Sequence, residues 1–360
     1  MRSGASDGRD IDPKIGALLG EGSLQQVQPV DRHLKENAGV WRELPSTNQA
    51  DPTYYERPML KEPVWKLYIP SYYFLGGAAG ASLALGAAVQ LDRSRATSGL
   101  VRKAHWVGIV ASSIGAVFLV LDLGRPMRFL NMMRVFRPTS PMNMGAWILA
   151  GTPPAAIAAG LFARAKMFRT LGEVCGYISG LLGLGLCTYT GVLVGNTAIP
   201  VWQESRRALP ILFGASAMSA AGGMLGMFRE LNSRELRIIQ AFTAFGAASE
   251  VACSKWMEHE ASRVEQVGLP LRRGFSGALW KTAGVLSLAA LAVTIIPGGG
   301  RRKRIFSGSL AALGSLALRF AVHYAGEASA RDPKASFRLQ REDVYNAGRG
   351  YTFDADQHRH

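Results

Sequence analysis

The stretch LYIPSYYFLGGAAGASLALGAAVQL, residues 67–91, carries no charged side chain. About 20 apolar residues in helical conformation cross the hydrocarbon core of a bilayer, so a run of this length reads as a spanning helix. Trp65, Tyr68, Tyr72 and Tyr73 cluster at its start, where amphipathic rings sit at headgroup level. Working outward, further apolar blocks follow at about 104–121, 142–163, within 174–203, and at 209–228, 238–254, 277–296 and 305–324. The expected fold is an all-α integral membrane bundle of about eight helices over 65–326. An extended polar N-terminal arm (1–64) and a polar C-terminal tail (327–360) frame it.

Only 19% of the residues are charged, and most lie in the arm, the tail or short clusters between the blocks. The net charge of +15 is not gathered on one face but recurs at the ends of apolar segments. That spacing suits anionic lipid headgroups and argues against a nucleic-acid surface. Cys175, Cys187 and Cys253 all fall within apolar blocks and form no CxxC pair. A cysteine-ligated iron–sulfur cluster or zinc site carried by this chain alone is therefore not expected. No cleavable signal peptide is expected either, because residues 1–60 lack a short apolar run ending in small residues.

Glycines recur at four-residue spacing in the blocks: Gly76 with Gly80, Gly176 with Gly180, Gly191 with Gly195, Gly222 with Gly226. Such pairs let helix backbones approach closely in lipid, where apolar bulk alone gives no drive to associate. The loops after blocks one, three, five and seven are rich in Arg and Lys, ending with the run Arg301, Arg302, Lys303, Arg304. The positive-inside rule puts these loops in the cytoplasm and both termini on the outer side.

The loop after the second block reads Leu121-Asp122-Leu123-Gly124-Arg125-Pro126-Met127-Arg128-Phe129-Leu130. Pro126 can open a short helix, after which Phe129, Met132, Met133 and Phe136 share one face and Arg128, Asn131 and Arg134 the other. This is the pattern of a helix in the interface plane, serving as a lipid anchor or as part of a site. The Asp-Leu-Gly-Arg-Pro-x-Arg-Phe-Leu stretch, followed by Thr139-Ser140-Pro141-Met142-Asn143-Met144-Gly145-Ala146-Trp147, resembles the signature of the NrfD family. That family includes the membrane subunit of polysulfide reductase. Tyr72 to Gly80, the segment Tyr189-Thr190-Gly191-Val192-Leu193, Pro200-Val201-Trp202 and Leu209 to Phe213 continue the resemblance, which covers roughly residues 64–230.

The resemblance implies an eight-helix subunit without metal that binds menaquinone or ubiquinone near one surface of a bacterial inner membrane. It also implies a ferredoxin-like iron–sulfur partner and a further catalytic subunit, a molybdopterin enzyme or a multihaem cytochrome. In the family the quinone site uses polar side chains of the first and fourth spans. The matching residues are Tyr68 and Tyr72, where the polysulfide reductase subunit has an amide and an imidazole, and Tyr189, with Tyr177 as alternate; Arg125 of the loop joins this set. Quinol oxidation releases two protons, so groups able to carry them are needed. Ionisable groups inside a bilayer are costly enough to be suspected of function. Asp122, Glu250 and His105 are the proton-transfer candidates, Asp122 having a pairing with Arg125 as its alternative role and Glu250 that of a helix-end carboxylate. Arg319 and His323, one turn apart, are expected to snorkel to the interface. Two other classes compete: a b-haem subunit, using His105 and His323 as ligands, and a multi-pass transporter.

Overall fold

The computed structural model describes residues 60–336, apart from 66, 93, 124–130, 132, 163–167 and 299, together with the short segments 10–12 and 17–19. The chain separates into two units, 1–53 and 54–360. In the first, strands β1 (Asp10–Asp12) and β2 (Ala17–Leu19) pair antiparallel, with Asp10 opposite Leu19.

The second unit is a helical bundle. Its long helices are α1 (Tyr68–Gln90), α2 (Ser98–Asp122), α3 (Pro141–Phe162) and α4 (Arg169–Gly195). After the short α5 (Pro200–Glu204) come α6 (Ala208–Gly226), α7 (Ser233–Ala261), the short α8 (Glu265–Arg272), α9 (Gly274–Ile295) and α10 (Arg301–Arg331). Seven of the long helices are apolar enough to span a bilayer, so the chain is a multi-pass membrane protein. The remaining long helix, α7, occupies the sixth expected block but is too polar to qualify. It packs between α6 and α9, where its buried side chains include Glu250.

Local chemistry explains the ends. Pro200 sits in the first turn of α5, where its missing N–H costs nothing. Asn232 caps α7 in a reciprocal box with Glu235, which is held in turn by Lys103 of α2 at 3.2 Å. Gly298, at φ 79°, makes the tight turn into α10 that a residue with a Cβ would strain.

α1 and α6 are the most buried spans and lie against each other at the centre. α2 and α4 pack against α1, with α3 against α2 and α4, while α7 and α10 pack against α6, with α9 against α7 and α10. The small residues set these crossings. A Cβ on Gly80 of α1 would overlap the backbone of α4 at Gly183 and Cys187, and one on Gly223 of α6 would overlap Gly308 of α10. Van der Waals contact between backbones, available only where side chains vanish, is what holds such pairs in lipid. Gly222 packs on Thr243 in the same way, whereas Gly226 meets nothing closer than Ile239, at 3.7 Å from where a Cβ would stand.

The eighth block proves longer than expected at both ends, and Arg319 and His323 do not snorkel. Both are buried inside the bundle, each 1% exposed, because the α10 face that carries them turns toward α1 and α6 rather than toward lipid. The expected interfacial helix opened by Pro126 lies largely outside the described residues, and Arg125 with it.

Candidate functional site

Successive long helices alternate in direction, so the start of α1, the end of α2, the start of α3, the end of α4, the start of α6 and the end of α10 share one side of the bundle. Tyr72 lies one turn into α1 and Tyr189 about two turns before the end of α4, so the two meet near that side. Their hydroxyls are hydrogen-bonded to each other. Tyr72 is buried and Tyr189 is partly so. Neighbouring helices leave room for the two rings by lacking side chains. A Cβ on Gly145 of α3 would overlap the Tyr189 ring, and one on Gly115 of α2 would press on Tyr72 at 3.2 Å.

Tyr73 points from the same turn of α1 toward α6, where its ring packs against Phe213 with centroids 6.0 Å apart. Its buried hydroxyl has no hydrogen-bond partner among the described residues. Arg319 stands over the Phe213 ring, its Cζ 3.8 Å from the centroid and its Nη2 donating to the Phe213 carbonyl at 2.6 Å. Gly77 makes space for this guanidinium. Among the described residues, Nε and Nη1 of Arg319 are buried without partners. Near it lies Glu250, whose Oε1 accepts from Ser287 at 2.9 Å while Oε2 has no hydrogen bond of ordinary geometry to a described residue. Ser216 and Ser315 bond to each other at 2.7 Å beside them. Arg319 and Glu250 act on each other electrostatically, yet they form no direct ion pair among the described residues. A buried charge with free hydrogen-bonding capacity is costly, and its persistence points to a role.

A second layer lies closer to the surface on the same side. Trp65 stacks on Trp202 (centroids 6.1 Å) and on His323 (6.4 Å). His323 Nε2 bonds to the Trp65 carbonyl at 3.0 Å and approaches Glu327 at 3.3 Å. Trp202 is seated against Gly326 and donates to the Val322 carbonyl at 2.8 Å. Glu62 closes the layer through Arg331 at 2.7 Å, an ion pair that holds its carboxyl below the usual value.

The remaining candidates divide. Asp122 is half-buried at the end of α2 on this side, within electrostatic range of the Tyr73 hydroxyl. Tyr68 is not part of the pair: as the first residue of α1 it is 40% exposed and packs on Phe118. Tyr177 is partly buried but precedes Tyr189 by 12 positions, placing it about 18 Å away along the helix at 1.5 Å per residue. His105 is buried two turns into α2, toward the opposite side, with Nε2 unpartnered among the described residues. It and His323 are thus roughly 20 Å apart along the bundle axis by the same rise per residue, too far to share one haem iron. Among the described residues no three His, Cys, Asp or Glu side chains converge.

Sequence reasoning missed Tyr73, the serines around Glu250, and the inward placement of Arg319. For Arg319 the available signal was its position well inside an otherwise apolar block. No curated relative matches the chain. The model of the family described as polysulphide reductase NrfD matches residues 56–329, and the chain therefore belongs to that family, whose members are membrane subunits of oxidoreductase complexes.

Proposed function

We propose that this chain is the quinone-reactive membrane anchor of a multi-subunit oxidoreductase, exchanging electrons between a menaquinone or ubiquinone pool and an iron–sulfur partner. The observation that carries the reading is the part-buried pairing of Tyr72 with Tyr189 between the first and fourth spans, near one surface. Two phenols offer both a donor and an acceptor, and Tyr73 adds a third hydroxyl with no partner among the described residues. That set fits a carbonyl oxygen that gains and loses a proton as the ring is reduced and oxidised. When bound, the quinone supplies two-electron, two-proton redox chemistry.

The protein's own residues orient and exchange protons. Tyr72 and Tyr189 hold the ring oxygen and keep water from it, their shared hydrogen bond opening to admit the ligand. Asp122, on the same side and partly open to the surface, receives or supplies protons. Arg319 and Glu250, with the intervening serines, form an inner polar branch that balances charge developed at the tyrosines. The iron–sulfur subunit and a further catalytic subunit, a molybdopterin enzyme or a multihaem cytochrome, complete the assembly. The protein resides in a bacterial inner membrane, with both termini on the outer side.

The test is photolabelling of the purified complex with an azidoquinone. Labelled peptides from α1 and α4 around Tyr72 and Tyr189, displaced by excess quinol, are the expected result. Displaceable label confined to other helices would overturn the assignment.

A further inference from the structure

At the opposite side of the bundle, the ends of α6 and α9 and the starts of α7 and α10 line a small cleft that opens outward. Gly222, Gly223 and Gly226 line it, and the glycine pair of α6 differs: Gly222 packs closely on Thr243, while a Cβ on Gly226 would meet only Ile239, at 3.7 Å. Lys303 and Arg304 stand in its wall with Gln240, and among the described residues no acidic side chain lines it.

The donors that remain free decide what the cleft suits. Thr243 and Thr294 already spend their hydroxyl protons on the carbonyls of Ile239 and Ala290. Lys303 spends two of its three on the carbonyls of Ile296 and Gly298, which fixes the ammonium at the cleft and leaves one proton to give. Arg304 Nε is buried without a partner among the described residues. The first turn of α10, whose Gly300 cap offers no side chain and which holds no acid, opens beside them. Cationic donors, one of them orphaned, at the positive end of a helix favour an anion with several acceptor oxygens.

The surroundings choose the source of that anion. Ile295, Ile296, Ile305 and Phe306 are exposed on the outer faces of α9 and α10 beside the cleft, and Val285 and Leu288 continue this apolar surface along α9. A free phosphate would make no use of that track, whereas acyl chains hanging from a phosphate would lie along it. We propose that this cleft seats the phosphate of one anionic phospholipid, with its acyl chains running down α9 and α10. The site lies across the bundle from the tyrosine pair and does not depend on the function proposed above.

The test is native mass spectrometry of the purified complex in nanodiscs containing phosphatidylglycerol and phosphatidylcholine in equal parts, with a parallel titration of inorganic phosphate. One phosphatidylglycerol retained on this chain after detergent transfer, at least tenfold over phosphatidylcholine, is expected. K303Q combined with R304Q should reduce that retention at least tenfold. G226L, which narrows the cleft without touching a charge, should do the same; if it fails to fold, the double variant decides. Equal retention of the two lipids, or unchanged retention in the folded variants, would overturn the proposal. So would saturable binding of inorganic phosphate that competes with no lipid, which would mark a site for the free ion.

Discussion

Replacing Tyr189 by Phe separates a structural from a functional reading of the part-buried phenol pair. The single substitution removes one partner and leaves the Tyr72 hydroxyl, in a residue 1% exposed, with nothing to bond. An orphaned buried hydroxyl costs about 1–3 kcal/mol, while replacing both partners by apolar groups of the same shape is nearly neutral. Tyr189→Phe should therefore lower the stability of the purified complex by that amount, and adding Tyr72→Phe should recover most of it. Quinol turnover should behave differently. If the hydroxyls hold a quinone oxygen, the double variant loses those bonds for good. At 1.4 kcal/mol per tenfold, a loss of about 1–3 kcal/mol weakens quinol use roughly 5- to 150-fold. The assay pairs thermal unfolding with quinol titrations of wild type, both singles and the double variant. Stability and turnover that recover together in the double variant would refute the reasoning, because the pair would then be only a packing device.

Three further outcomes are expected. Glu250→Gln keeps the shape and the Ser287 contact but removes a buried ionisable carboxyl, so the complex should assemble normally while steady-state quinol turnover falls about 100-fold, the low end of the range for loss of a positioned proton-transfer group. Gly80→Val drives a branched side chain into the α4 backbone and should cost about 1–3 kcal/mol as an overpacked contact, seen as a lower Tm and reduced yield of folded protein. The Glu62–Arg331 pair gives a pH signature: its carboxyl is depressed from 4.5 when folded, so the tether it forms is fully present above that value and is lost as pH falls through the lower one. Hydrogen exchange around Trp65 should rise over that acidic window in wild type, and Glu62→Gln should abolish the step.

The bundle was legible because a bilayer demands contiguous apolar length, which leaves a mark on sequence that needs no tertiary knowledge. α7 is the instructive departure. Glu250, Lys255 and Glu258 dilute its apolar character, and only the packing of α6 and α9 against it reveals where the polar side chains go. The site was legible in part. Tyr72 and Tyr189 emerged from local motifs, yet nothing in a linear pattern separates Tyr72 from Tyr68, four residues earlier on the same face. Burial decides that, Tyr72 being 1% exposed and Tyr68 40%, and it is a property of the assembled bundle. The inward turn of Arg319 was hidden for a related reason. Whether a charge within a long helix reaches the headgroups or the core depends on which neighbour its face meets.

The polarity of α7 also bears on how this protein comes to be inserted. Each charge near a helix centre adds about 2.5–3.5 kcal/mol to the cost of leaving the translocon for lipid, and α7 offers few aliphatic residues in compensation. Among the described residues it is the one long helix whose own apolarity falls short of what a span needs. Its entry has to wait for company, with α6 already at hand and α9 following, so biogenesis of this half of the chain proceeds as a group rather than helix by helix.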